Sequence, residues 1–388
     1  MRIAILLSAT GPNGVSNYYR TLIKHLTKRG HAILLVHRPI NWICQEPEFS
    51  AVARFETPFA LRLPEILEVG SQILRFNADV IHTHMSAAHA YGGFYSLFGK
   101  IPVVATAHAM HVQLHWRLND YVIATSHEAE KYHRRFNLIS KKRIETIPLF
   151  VNIEYFRPPT VQERDSARHQ LSIPREAVVI GFVGDLISRK RPEDLLIAFA
   201  KLARSNHRVR LLMVGGPDTA VLKLKRLATS LAVEERVLFL GATTEIRTAY
   251  WAMDIFGHAS GKECGPLAVL EAAASGLPVV ATNVGMNEYY VHEGVSGFVV
   301  NVGDLDQLAI KLLTLCDDVQ KRSEFSFCAR KVVENNYSTE MLAGKVEKAL
   351  EKSVRNAREH KRHIVTALPE LTRTFPSKAL KAEPFAED

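Results

Sequence analysis

The segment running from Ser260 to Pro278 carries two carboxylates eight residues apart, Glu263 and Glu271, across a loop-to-helix junction. Strand-like runs at 254–259 and 278–282 flank it, so both side chains can face the carboxyl end of a parallel sheet, where open α/β sheets bind ligands. Ionised carboxylates accept hydrogen bonds from hydroxyl groups. The helix start between them leaves backbone N–H groups free and presents a positive dipole end, which suits a diphosphate. Hydroxyl acceptors beside phosphate donors predict a nucleotide-sugar ligand.

Other groups of suitable type punctuate the chain. Arg189, Lys190 and Arg191 lie just before Pro192, a residue that favours the first turn of a helix. Cations held at a strand's carboxyl end can neutralise a departing diphosphate. His82, His84 and His108 stand at the ends of expected strands, with His111 and His115 following, and suit hydrogen bonding to phosphate or sugar hydroxyls. The spacing of His108, His111 and His115 matches no zinc ligand set, so no metal is expected. Residues 10–17, with Gly11 and Gly14, read either as a phosphate or acceptor loop or as an ordinary strand-to-helix turn. Asp304 and Asp306 precede a helical pattern, and capping by Asp304 explains them better than a metal-bound nucleotide does.

These groups need a scaffold of alternating elements. Strands are expected at 2–8, 31–37, 79–83, 102–106 and 120–125, with helices at 14–29 and 64–76. A second series begins at 178–184 and continues with helix 192–205, strand 208–214, helix 218–231, strand 236–240 and helix 244–252. This cadence predicts α/β architecture with parallel sheets covered on both faces. Prolines at 148, 158, 159 and 174 mark the divide. Two doubly wound, Rossmann-like domains are therefore expected to face each other across a cleft. The first takes residues 1–156 and the second 157–339, a charged helix covers about 340–362, and a loosely ordered tail takes 363–388.

Bulk properties narrow the partners. The 388 residues are 47% hydrophobic and 23% charged, ordinary for a soluble globular chain, and no apolar run reaches the length of a spanning helix. The short apolar opening reads as a buried first strand rather than a signal peptide. Four cysteines without CxxC or metal spacing fit a reduced, cytoplasmic setting. The formal charge is +9, and residues 1–160 hold 18 Lys/Arg against 11 Asp/Glu, so +7 of it lies there. That basic half fits an anionic lipid surface or an acidic acceptor, or else a surface kept charged for solubility. No motif for nucleic acid accompanies it. The run 131–143 mixes basic and apolar residues, a pattern shared by interfacial membrane segments and by solvated helix-and-loop surfaces.

Taken together, these residues resemble the retaining, GT-B-fold glycosyltransferases often called family 4 or group 1, over roughly residues 1 to 350. The two glutamates match the family's Glu-x7-Glu motif, with Cys264, Gly265, Pro266 and Leu267 following the first as in the proline-containing variant. Residues 147–158 are similar to the family's linker between domains, and 214–216 and 239–241 to its nucleotide-side turns. The resemblance implies that Glu271 holds the ribose, Glu263 contacts the transferred sugar, and amides around Gly265 and Leu267 bind sugar and phosphate. It further implies that Lys190 stabilises the leaving diphosphate, His108 lines the reaction centre, and Gly14, Gly215 and Gly241 shape the donor site. The final helix would pack back on the first domain.

Two departures bear on activity. The family commonly has arginine where Asp185 stands, so Arg189 or Arg191 must supply that charge in an active enzyme. Pro266 lacks the N–H that glycine would offer. The expected activity is transfer of a hexose-type sugar from a UDP-, GDP- or ADP-sugar to an acceptor hydroxyl with retained configuration, without a cofactor. A glycan or glycolipid acceptor of the cell envelope, met at the inner face of the membrane, fits the basic half. Two other classes remain open: a GT-B hydrolase, epimerase or phosphorylase, the last without a motif for its pyridoxal phosphate, and a catalytically impaired scaffold.

Overall fold

Most of the strands are rich in branched apolar residues and run almost continuously buried, the pattern of sheets covered on both faces. In the computed structural model, which describes residues 1–9, 14–39, 49, 52–243 and 245–374, they assemble into two parallel sheets. The first lobe comprises β1 (Arg2–Leu7), α1 (Gly14–Lys28), β2 (Ala32–His37), β3 (Ala53–Glu56), α2 (Leu63–Arg75), β4 (Val80–His84), α3 (Ser86–Phe98), β5 (Val103–Ala107), β6 (Tyr121–Ala124), α4 (His127–Phe136) and β7 (Ile144–Thr146). Its seven strands lie in the order β3-β2-β1-β4-β5-β6-β7.

The second lobe opens with α5 (Val161–Gln170), β8 (Val178–Val183), α6 (Pro192–Ala203), β9 (Val209–Val214), α7 (Asp218–Ser230) and β10 (Val237–Gly241). It continues with α8 (Ile246–Ala252), β11 (Ile255–His258), α9 (Leu267–Ala274), β12 (Val279–Thr282), α10 (Asn287–Tyr290), β13 (Gly297–Val300), α11 (Leu305–Asp317) and α12 (Val319–Asn336). Six strands take the order β10-β9-β8-β11-β12-β13. Strand order therefore reverses between β1 and β4 in one sheet and between β8 and β11 in the other. Both reversals create crevices at the strands' carboxyl ends.

The caps follow local chemistry. Ser126 accepts the Ala129 N–H at 3.0 Å to start α4, and Thr160 with Glu163 forms a capping box on α5. Asp304 accepts the Gln307 N–H at 3.0 Å, the capping role expected of it. Gly14 opens α1, while residues 10–13, the rest of the glycine-containing loop, lie outside the described residues.

Two chain crossings join the lobes side by side. Val151 N–H donates to the Tyr337 carbonyl at 3.0 Å, and Thr339 N–H donates back to the Val151 carbonyl at 3.2 Å. From there α13 (Thr339–Thr374) returns to the first lobe and packs on α1 and on strands β4, β5 and β6. Leu342, Val346 and Leu350 are buried along it, and Glu347 meets His31 at 2.7 Å, Arg29 at 3.4 Å and His25 at 3.7 Å. The helix does not stop at 362: it continues to Thr374, so the tail expected from 363 begins as helix. Residues 375–388 lie outside the described residues.

Candidate active site between the lobes

The loops after β8 and β11 meet because those strands are neighbours, with Ile255 in register with Ile180. Gly261 N–H donates to the Arg189 carbonyl at 2.9 Å, which pins one loop to the other. Glu263 is buried at this junction. Its Oε1 lies 2.6 Å from Lys190 Nζ and accepts the Ser260 hydroxyl at 2.8 Å, while Oε2 lies 2.8 Å from Arg189 Nη1. Burial opposes ionisation of Glu263, but the nearby His258, 3.6 Å from Oε1, and the charges of Lys190 and Arg189 outweigh it, holding the carboxyl well below the usual range. Arg191, the third cation of the turn, faces Asp194 at 2.6 Å and has left-handed backbone (φ 49°). Of the two arginines offered as substitutes at the Asp185 turn, only Arg189 reaches Glu263. Asp185 itself is exposed.

A buried relay stands behind Glu263. Asn287 Nδ2 donates to His258 Nδ1 at 3.1 Å, which leaves Nε2–H facing the Ser260 hydroxyl at 3.1 Å. Burial first, then the nearby cations, lower the His258 pKa, so its imidazole is neutral while Ser260 passes a hydrogen bond to the carboxylate. Sequence reasoning did not single out His258 or Asn287. The signal for His258 was its place at a strand end, the same feature that drew attention to the first-lobe histidines.

Glu271 sits at the start of the second turn of α9, also buried, and belongs to a different set of contacts. Tyr250 donates to Oε2 at 2.8 Å, and Asn17 of α1 donates to Oε1 at 3.2 Å across the lobes. Burial raises its pKa, and the two hydrogen bonds offset that only in part. Tyr250 reads in sequence as an ordinary core aromatic, and nothing in its spacing marked it.

Between the glutamates, Pro266 caps α9 and Leu267 begins it. Gly265 is held in a narrow place, where a Cβ would lie 3.1 Å from the Tyr290 hydroxyl. Cys264 is buried in the same apolar cluster as Ala105, Ala107 and Met110 of the first lobe, which sets this loop against the end of β5. Burial pushes its thiol up to about 12, so it packs rather than reacts. The glycine turns at the ends of β8, β9 and β10 also interlock. Gly215 N–H donates to the Gly241 carbonyl at 2.7 Å, and Gly215, at φ 120°, would place a Cβ 2.1 Å from the Gly184 carbonyl oxygen.

On the first lobe, His108 follows β5. Its Nε2 lies 3.4 Å from His84 Nδ1, and its ring packs edge-on to Tyr18 with centroids 5.2 Å apart. Burial pushes its pKa down to about 3, so the ring is neutral. His82 pairs with Thr106 at 2.8 Å instead, and His111 contributes its backbone carbonyl to Asn137.

Residues 163–332 match the family described as glycosyl transferases group 1, and residues 12–155 match glycosyltransferase family 4. The chain belongs to the group 1, family 4 glycosyltransferases. It is similar to the D-inositol 3-phosphate glycosyltransferase of Corynebacterium urealyticum, with 37% identity over 190 residues, covering 47% of this chain and 45% of that protein. The corresponding protein of Corynebacterium diphtheriae is 31% identical over 280 residues, 65% of each chain. These matches thus span only about half to two thirds of the relatives' lengths. The Anabaena Alr3699/HepE structure in complex with UDP and glucose superposes with a TM-score of 0.81 at 21% identity, over 90% of this chain and 99% of that one. This likeness shows a shared GT-B fold.

Proposed function

We propose that this glycosyltransferase moves a hexose-type sugar from a nucleoside-diphosphate sugar to an acceptor hydroxyl with retention of configuration, in cell-envelope glycan synthesis. One observation carries the donor assignment: a buried carboxylate, Glu263, bridges Lys190 and Arg189 at the switch point of the second sheet. The bound UDP and glucose of the Anabaena structure support a donor of this class. No cofactor or metal is invoked.

The costly event in such a transfer is negative charge building on the departing diphosphate. Lys190 and Arg189 are fixed donors for that charge, and the free amides at the start of α9 add to them. Glu263 pairs with both cations and offsets only one of their two charges. A diphosphate would take them over, freeing the carboxylate to accept hydroxyls of the transferred sugar. Glu271, steadied by Tyr250 and Asn17, would accept the ribose hydroxyls. His108, neutral at pH 7, would hydrogen-bond at the reacting end without adding charge. Retention rests on the family resemblance, and the envelope role on the basic first lobe.

The test is a panel of UDP-, GDP- and ADP-sugars scored for binding and nucleotide release, with the product's anomeric configuration read by NMR. Failure of every donor to bind would end the reading. A second reading, a binding or scaffold subunit, draws on the exposed acid at Asp185, and binding of a donor without release across an acceptor panel would favour it.

A further inference from the structure

The end of α4 and the turn after it gather cations and apolar side chains on one surface of the first lobe. A hollow of about 480 Å³ is lined by Lys131, Arg134, Arg135, Ile139, Ser140 and Lys141, with no carboxylate among its described lining residues. Arg134 has Glu130 at 3.7 Å, one turn back. Among the described residues, Lys131, Arg135, Lys141 and Lys142 are exposed with no carboxylate at ion-pairing distance. The acids of this helix, Glu128 and Glu130, lie in its first turn.

Apolar side chains stand beside these cations instead of being folded inward. Phe136 is 44% exposed and Leu138 57%, while Val112 is 59% and Leu114 64%. The two pairs are neighbours because Asn137 clasps their backbones: its Oδ1 accepts the Gln113 N–H at 2.7 Å and its Nδ2 donates to the His111 carbonyl at 2.9 Å. Arg143 ties the following turn to the same loop through the Arg117 carbonyl at 2.9 Å.

We propose that this face docks on an anionic phospholipid bilayer, with the hollow receiving a lipid phosphate and Phe136, Leu138, Val112 and Leu114 reaching the interface between headgroups and chains. Charge complementarity selects an anionic partner, since unpaired cations surround a hollow without acids. The exposed aliphatic residues select a bilayer over nucleic acid, whose backbone offers them nothing to bury against. Docking here does not depend on the donor assignment.

Flotation of the full-length protein with phosphatidylcholine vesicles, with and without phosphatidylglycerol, tests the proposal. Binding is expected only with the anionic lipid and should weaken as salt is raised. The combined variant Lys131→Glu, Arg135→Glu, Lys141→Glu should cut partitioning by roughly tenfold or more, each cation near an anionic surface contributing about fivefold. Phe136→Ser with Leu138→Ser should also weaken it while leaving heparin binding intact. All five positions are exposed, and circular dichroism and thermal melting verify folding. Absence of binding to the anionic vesicles, or binding indifferent to charge reversal, overturns the proposal. So does loss confined to the charge variant, which would mark a contact with a soluble polyanion.

Discussion

At the scale of single residues, the two glutamates of one motif have opposite electrostatic surroundings. Cations hold Glu263 ionised, whereas burial raises Glu271. In the proposed ribose-holding role Glu271 acts as the carboxylate, so donor affinity is expected to fall with acidification, starting above the usual carboxylate range. A pH series of donor binding checks this, and the acid limb should vanish in Glu271→Gln, with affinity lowered on the order of tenfold or more for the lost charged hydrogen bonds. The stability sign runs the other way. A raised native pKa makes Glu271 costly as pH rises from the unfolded-state value through the native one, so Glu271→Gln should raise the melting temperature at neutral pH. For Lys190→Ala, loss of a fixed donor to the leaving group should cost about 3–4 kcal/mol of barrier, a fall of several hundredfold in kcat. Steady-state nucleotide release measures it, and an unimpaired variant would refute the assignment.

At the scale of elements, the second sheet is anchored below the site by Asp254, which heads β11. Its carboxylate pairs with Arg164 and with Arg168 at 2.6 Å, both from α5, and accepts the Val179 N–H at 2.7 Å. Arg168 is buried, so Asp254→Ala strands a cation in the interior, at an expected cost of about 3–5 kcal/mol in denaturant unfolding of this lobe. The strands that place Lys190, Glu263 and His108 were legible in the sequence, because runs such as 178–183 are apolar throughout and helical patterns separate them. Strand β3 was not: Ala53–Glu56 is a largely exposed edge with little apolar content, so burial wrote no pattern into it.

For the whole molecule, α13 makes the first lobe depend on the chain's far end. Leu342, Val346, Leu350 and Val354 share the core that holds Ile3, Tyr19 and Leu22. Burial of such side chains is worth about 1.5–3 kcal/mol each, so removing the helix forfeits on the order of the entire stability of a domain. Truncation before Thr339 should leave the first lobe unable to melt cooperatively, as calorimetry would reveal. A cooperative, unshifted first-lobe transition would show that α13 is merely attached.

Composition and periodicity determined the α/β class and the two parallel sheets, and motif spacing singled out Glu263, Glu271 and Lys190. These properties are local: an apolar run of strand length, a proline or a loop glutamate carries its meaning within a few residues. What only tertiary structure decided were the pairings. It selected Arg189 over Arg191 for Glu263, gave Glu271 partners from Tyr250 and Asn17, and put the His258–Ser260 relay behind the motif. Each of these joins side chains whose distance is fixed by strand order or by the approach of the two lobes, and that distance is not a function of their separation along the chain.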